Sequence, residues 1–350
     1  MEQKHVFFIH SQITKLVSLS IVNYLALDKD SIIFLLYRGM TIDAYYSTSV
    51  FPFRHYPEDS FSISKKFWNG RKKLEKLDEY IYKVTSNKYF HLYLPQTNES
   101  MLRLMMSHPK CKSFSLIEEG KLSFTSFQDR TSYIYPLKDF TLIKLNYGQR
   151  LGRVKSYLDS NYNTAFKFSD AAFPDFQRVN KIDLRIANLP TKENEEVKQI
   201  LVLEPIVEAK IVEIGEYLLA LLKLIKTLEK NRIRTVYYKF HPDQQVEVSK
   251  KYLLALFKEF SFLEFIELSS NISLEEIAVN SNSKFYAVVS SMLYYAQYLG
   301  STAYSFANLF PFDENLKIYL EHQPRAFLEN LNYFDEETSE QHLKTTGISG

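Results

Sequence analysis

Ile200-Leu201-Val202-Leu203 is an unbroken apolar run that ends at Glu204-Pro205, and from Ile211 to Lys230 the residues after it keep a helical spacing. A short apolar run closed by a turn signal reads as a buried strand, and the periodic stretch as a helix packed back on it. The pattern then repeats. Arg234 to Phe240 reads as a strand that stops at His241-Pro242, where proline cannot continue pairing and can open a helix. Phe262 to Leu268 is the next strand, followed by Ser273-Leu274-Glu275-Glu276, a capping box of Ser273 and Glu276 at a helix start. Phe285 to Val289 runs straight into Ser290-Ser291 and a helix through Leu299, and Thr302 to Phe306 closes the series.

The first half of the chain carries the same alternation. Val6-Phe7-Phe8-Ile9 precedes a helical stretch from Ser11 to Leu27, and apolar runs follow at Ser31 to Tyr37, His91 to Leu94 and Ser113 to Ile117. The last of these ends at Glu118-Glu119-Gly120. Strands alternating with helices predict an α/β protein with parallel sheets. Between the two series lies the polar stretch Asn188 to Lys198, with Pro190 and a run of charges. The expected organisation is therefore two Rossmann-like, doubly wound lobes facing a central cleft: residues 1–185, a linker at 186–197, a second lobe at 198–335 and a polar tail at 336–350. Ligands in such sheets sit beyond the carboxyl ends of the strands, where the turns at 118–120, 241–242 and 290–291 all fall.

Composition narrows the function classes. The 350 residues are 45% hydrophobic and 24% charged, which excludes long disorder. Twenty-five Tyr and 27 Phe supply core rings and, equally, stacking faces for bases and sugars. With 43 basic against 41 acidic residues, the net charge of +2 gives no field to draw nucleic acid, so an anionic ligand needs a local site. Cys111 stands alone, and no Cys/His spacing suits zinc. The run from Met1 breaks at His10-Ser11-Gln12, too soon for a signal peptide. No stretch approaches the roughly 20 apolar residues of a membrane span. The expected location is cytoplasmic, with peripheral contact at an inner membrane through Lys65-Lys66-Phe67-Trp68 and Arg71-Lys72-Lys73, a segment that reads equally as a solvated helix face.

Each polar turn has a structural and a chemical reading. Gly120 permits a sharp turn, and the adjacent carboxylates of Glu118 and Glu119 point to opposite sides, so that one can be a general base while the other is solvated or holds the loop. The imidazole of His241 stands near a helix start, whereas His108-Pro109 reads as a surface turn. Ser290-Ser291 is an N-cap and also a phosphate seat. Glu204 is a further candidate for the nucleotide side; His10 and Ser11 hold the matching place in the first lobe and, with Arg54-His55, could meet an acceptor.

Taken together, Glu118-Glu119-Gly120, Lys239-Phe240-His241-Pro242 and Ser290-Ser291 resemble the three ordered motifs of bacterial sialyltransferases: D/E-D/E-G, HP and S/T-S/T. The resemblance covers these motif residues and their order, not the whole chain. It implies a GT-B-like fold and inverting transfer of sialic acid from CMP-sialic acid to a galactoside or sialoside of a surface glycan or glycolipid (lipooligosaccharide, O-antigen or capsule). Glu118 would then be the base that deprotonates the acceptor hydroxyl, with Glu119 as the other candidate. His241 would assist CMP departure, and Ser290 and Ser291, helped by Lys239 and Pro242, would bind its phosphate. An oxocarbenium-like transition state needs a base on one side and charge stabilisation at the leaving group. A monophosphate leaving group can be met by imidazolium and helix-end donors, so neither cofactor nor metal is expected. Transfer of another sugar, such as Kdo from CMP-Kdo or a hexose from a nucleotide diphosphate, is an alternative, as is a non-catalytic glycan- or nucleotide-binding protein.

Overall fold

The structure is a computed structural model, which describes residues 3–42, 44–53, 70–97, 100–126, 150, 161–184, 198–269, 272–280, 282–311 and 313–335. The chain divides into two compact units, Met1–Arg185 and Ile186–Gly350. The expected linker and tail, Lys65 to Trp68 and Arg54-His55 lie outside the described residues.

The first unit is built on seven strands: β1 (Lys4–Ile9), β2 (Ile32–Leu36), β3 (Val50–Pro52), β4 (Phe90–Leu94), β5 (Cys111–Ile117), β6 (Tyr162–Lys167) and β7 (Val179–Lys181). Their order is β3-β2-β1-β4-β5-β6-β7, and every pairing is parallel. Every residue of β2 and β4 is buried, the signature of strands covered on both faces. The helices α1 (Gln12–Tyr24), α2 (Gly70–Val84) and α3 (Ser100–Met106) connect them.

The second unit has five parallel strands, β8 (Gln199–Val202), β9 (Thr235–Lys239), β10 (Glu264–Glu267), β11 (Lys284–Ala287) and β12 (Thr302–Ser305), in the order β10-β9-β8-β11-β12. Helix α4 (Ile214–Lys230) buries Tyr217, Ala220, Leu221, Leu224, Ile225 and Leu228, the stripe that a 3.6-residue period turns to one side. A single π-helical turn at Val246–Lys250 leads into α5 (Lys251–Lys258); α6 (Leu274–Asn280), α7 (Ser291–Tyr298), α8 (Glu314–Glu321) and α9 (Arg325–Leu328) follow.

In each sheet the strand order reverses once, between β1 and β4 and between β8 and β11, and these are the switch points at which open α/β sheets take ligands. Two expected boundaries move. No helix opens at Pro242: the chain makes a turn there and becomes helical only at Val246. β11 ends at Ala287, because the amides of Val288 and Val289 turn to the Glu204 carboxylate.

The first core also holds histidines. His91 on β4 contacts the hydroxyls of Ser113 (2.6 Å) and Ser115 (2.8 Å). Burial, then the neighbouring His5, lowers it from 6.5 to about 3. Burial likewise lowers His108 to about 4, against the opposing pull of Asp78. An unfolded chain protonates both near 6.5 while the folded one does not, so the unfolded state binds more protons below that pH and stability falls on acidification. Thermal melts should therefore show a lower Tm at about pH 4.5 than at about pH 7, less so in a His91→Asn/His108→Asn variant, and a flat profile would contradict this.

Candidate functional site

At the carboxyl end of β5 the chain turns sharply at Gly120, whose φ of 139° and ψ of −150° belong to a region essentially reserved for glycine. A 3-10 turn at Lys121–Phe124 follows, and Ser123 Oγ accepts the Glu119 amide at 2.9 Å. This turn separates the two carboxylates. Glu118 is 0% exposed and reaches across to the end of β6. Its Oε2 accepts the amides of Phe168 (2.9 Å) and Ser169 (3.0 Å), while Ser169 Oγ donates to Oε1. A carboxylate so enclosed holds a loop. The structure thus places Glu118, the expected base, with both carboxylate oxygens accepting hydrogen bonds at the end of β6.

Glu119 instead lies against His10, Oε2 to Nε2 at 3.2 Å, with side chains only 6% and 16% exposed. His10 follows β1, two strands from β5 and so roughly 10 Å away. The pair therefore spans the end of β4, beside the switch point. Glu119 Oε1 and His10 Nδ1 are both buried, and neither has a hydrogen-bond partner among the described residues. A buried acceptor left unmade costs on the order of 1–3 kcal/mol, and a ligand hydroxyl donating to Glu119 Oε1 would remove that cost. Ser11 does not join the pair. It is the N-cap of α1, its Oγ accepting the Thr14 amide while Thr14 Oγ1 accepts the Ser11 amide at 3.0 Å.

In the second unit, the carboxyl ends of the neighbouring strands β9, β8 and β11 carry His241, Glu204 and Ser290-Ser291. His241 is 42% exposed at its side chain. Its Nδ1 accepts the Asp243 amide at 3.2 Å, so the neutral ring carries its proton on Nε2, as a donor to an anion requires. Beyond Pro242, the His241 amide donates to Gln244 Oε1 (2.9 Å), and Glu208 Oε1 accepts from the Gln245 amide (2.9 Å) and Ser249 Oγ (2.6 Å). The loop carrying the imidazole is thus anchored to the β8 side.

His108-Pro109 repeats the local geometry, with His108 Nδ1 accepting the Lys110 amide at 3.1 Å. It is a turn with Pro109 exposed, as expected, but the histidine itself is buried. His108 is 2% exposed and packs on Tyr82 and Phe90. Asp78, 3.8 Å from its Nε2, is gripped by both terminal nitrogens of Arg150. Burial, not the dipeptide, separates the two copies.

Ser290 caps α7, its Oγ accepting the Met292 amide at 3.2 Å, and both Ser290 and Ser291 are half-buried. Glu204, expected on the nucleotide side, is 6% exposed, and its Oε2 accepts Val288 N (2.6 Å) and Val289 N (2.9 Å). The ammonium of Lys239 donates to the Ile272 carbonyl, and burial holds it below its ordinary range, with Glu275 opposing. Two residues carried no signal in the sequence: Ser169 on the Glu118 clamp, and Ser305, whose Oγ donates to the Val288 carbonyl at 2.5 Å. Ser273 Oγ accepts the Glu276 amide (3.1 Å), one half of the expected capping box, and donates to Glu275 Oε2 (2.9 Å). Asp28-Lys29-Asp30, an Asp-x-Asp spacing, sits at the amino end of β2, where Asp28 caps a turn by accepting the Asp30 amide at 3.1 Å.

No protein-family model matches the chain, and no curated protein matches it. Among solved structures, Staphylococcus aureus MnaA in its structure with UDP aligns with a TM-score of 0.53 at 12% identity, over 98% of this chain and 95% of its own. UDP-GlcNAc 2-epimerase from Neisseria meningitidis bound to UDP-GlcNAc gives 0.45 at 12% identity, over 97% and 99%. A glycosyltransferase from Rickettsia africae gives 0.44 at 10%, over 87% and 79%. At such identities the likeness is one of fold, carried by the first: a GT-B-like α/β chain with two parallel sheets.

Proposed function

We propose that the protein is a glycosyltransferase that moves a sugar from a nucleotide donor to a hydroxyl acceptor, and that the donor is CMP-sialic acid. The observation that carries this reading is a pair of strand-end features in the second unit. An exposed imidazole whose Nδ1 accepts the Asp243 amide and the Ser290-capped start of α7 stand on either side of β8. They are the parts a departing phosphate needs, a donor or cation and a positive helix end. The choice of CMP rests on the order of the three motifs, with no metal required. The aligned S. aureus protein was solved with UDP, so a UDP-sugar is the second reading.

In this reading Glu119 is the base. Its unpartnered Oε1 takes the acceptor proton as the acceptor oxygen attacks the anomeric carbon, while the bond to the nucleotide phosphate breaks and the phosphate keeps the electron pair. His10 Nε2 then donates to the other oxygen and holds the carboxyl group in place. The acceptor is a glycan or glycolipid of a bacterial surface. Among the described residues no helix is long and apolar enough to cross a membrane.

His241→Ala tests the donor half. Losing a hydrogen bond to a charged phosphate should lower kcat/KM for CMP-sialic acid by about 10- to 100-fold, raising KM and lowering kcat together. Unchanged kinetics would remove His241 from the site.

A further inference from the structure

The turn that delivers Ser290-Ser291 is held from both sides. Val288 and Val289 give their amides to one oxygen of Glu204, at the end of β8. The Val288 carbonyl accepts from Ser305 Oγ, at the end of β12, and that same oxygen accepts the Ala307 amide at 3.2 Å. Ser305 is 0% exposed. The Glu204 amide in turn donates to the hydroxyl of Tyr217 on α4, at 3.4 Å. Tyr217 is fully buried, stacked with Phe306 and Phe310. Two side chains, on the strands flanking β11, thus replace the ladder bonds that Val288 and Val289 would make if β11 continued. They end the strand two residues before the helix cap.

We propose that Glu204 and Ser305 are positioning residues that fix the Val288-Val289 peptides, so that the start of α7 meets the donor phosphate in a preformed geometry. This rests on the nucleotide reading above. An unclamped turn would have to be ordered at each binding event, a cost that appears in affinity. The first unit uses the same device, Glu118 gripping two consecutive amides beyond β6. In both places one carboxylate oxygen accepts from two successive backbone amides past the end of a neighbouring strand. The acceptor geometry matters here, while the negative charge beside an anion seat does not help. Glutamine can supply the same two-amide acceptor with its carbonyl oxygen, so charge and geometry separate cleanly.

The experiment titrates the full chain with CMP, and in parallel with UDP, by calorimetry, for wild type, Glu204→Gln, Glu204→Ala and Ser305→Ala. Amide exchange over residues 287–292 is followed without nucleotide. Glu204→Ala should bind about tenfold or more weakly than wild type, and Ser305→Ala should weaken binding less. Both should exchange faster in that segment. Glu204→Gln should stay within about threefold of wild type, and in turnover Glu204→Ala should raise the donor KM far more than it lowers kcat. Equal binding by wild type and Glu204→Ala would overturn the clamp while leaving the nucleotide reading intact. A Glu204→Gln as weak as Glu204→Ala would also overturn it. Wild type that binds neither CMP nor UDP would overturn the nucleotide reading, and the clamp's role with it.

Discussion

Glu119→Gln is expected to lower turnover by about 10²- to 10⁴-fold, the range that a positioned general base contributes, with donor affinity and Tm little changed. Glutamine keeps the shape and can still accept from His10 Nε2, so the 3.2 Å contact survives as a hydrogen bond. What it cannot do is take a proton. A base acts mainly in the transition state, so the loss should appear in kcat and in kcat/KM alike. Steady-state kinetics with saturating donor, set beside a thermal melt, make the measurement. Full activity in Glu119→Gln would mean that Glu119 is a structural partner of His10 and not the base.

Glu118→Ala should do the reverse, unfolding the protein more readily. The side chain is wholly buried and receives two amides and a hydroxyl. Removing it strands three donors at about 1–3 kcal/mol each, partly recovered by water entering the gap, for a net loss on the order of 3–5 kcal/mol. For a unit of this size that corresponds to a fall in Tm of about 6–20 °C. Glu118→Gln should be milder, because its carbonyl can still accept both amides. Differential scanning calorimetry on the two variants tests this. A Glu118→Ala protein that keeps its Tm and loses turnover would return the base role to Glu118.

The contrast between these neighbours shows where the sequence stops being legible. Alternation along a strand predicts that the two carboxylates point apart, but it leaves open which one is held. The answer depends on Phe168 and Ser169, fifty residues on, and on the Gly120 turn that brings Glu119 to His10. The long apolar strands were readable because they are buried on both faces, as β2 is throughout. β6 was not, since Asn163 and Thr164 interrupt its apolar pattern, and β7 is a three-residue edge strand with no apolar run. Val289 reads as strand by propensity and is drawn out of it by Glu204. The two His-Pro turns share their local hydrogen bond, and only tertiary burial tells them apart. Lys239 was assigned by nearness in sequence to His241, whereas its long stem takes the ammonium to the Ile272 carbonyl.

The most direct measurement is nucleotide release by the purified chain, incubated separately with CMP-sialic acid and with UDP-GlcNAc and a panel of galactosides and sialosides. The predicted result is CMP release from CMP-sialic acid, accelerated by an acceptor and slowed in His241→Ala and, more strongly, in Glu119→Gln. Release of UDP alone would contradict the sialyl donor, and release of neither nucleotide with any acceptor would contradict the transferase reading itself.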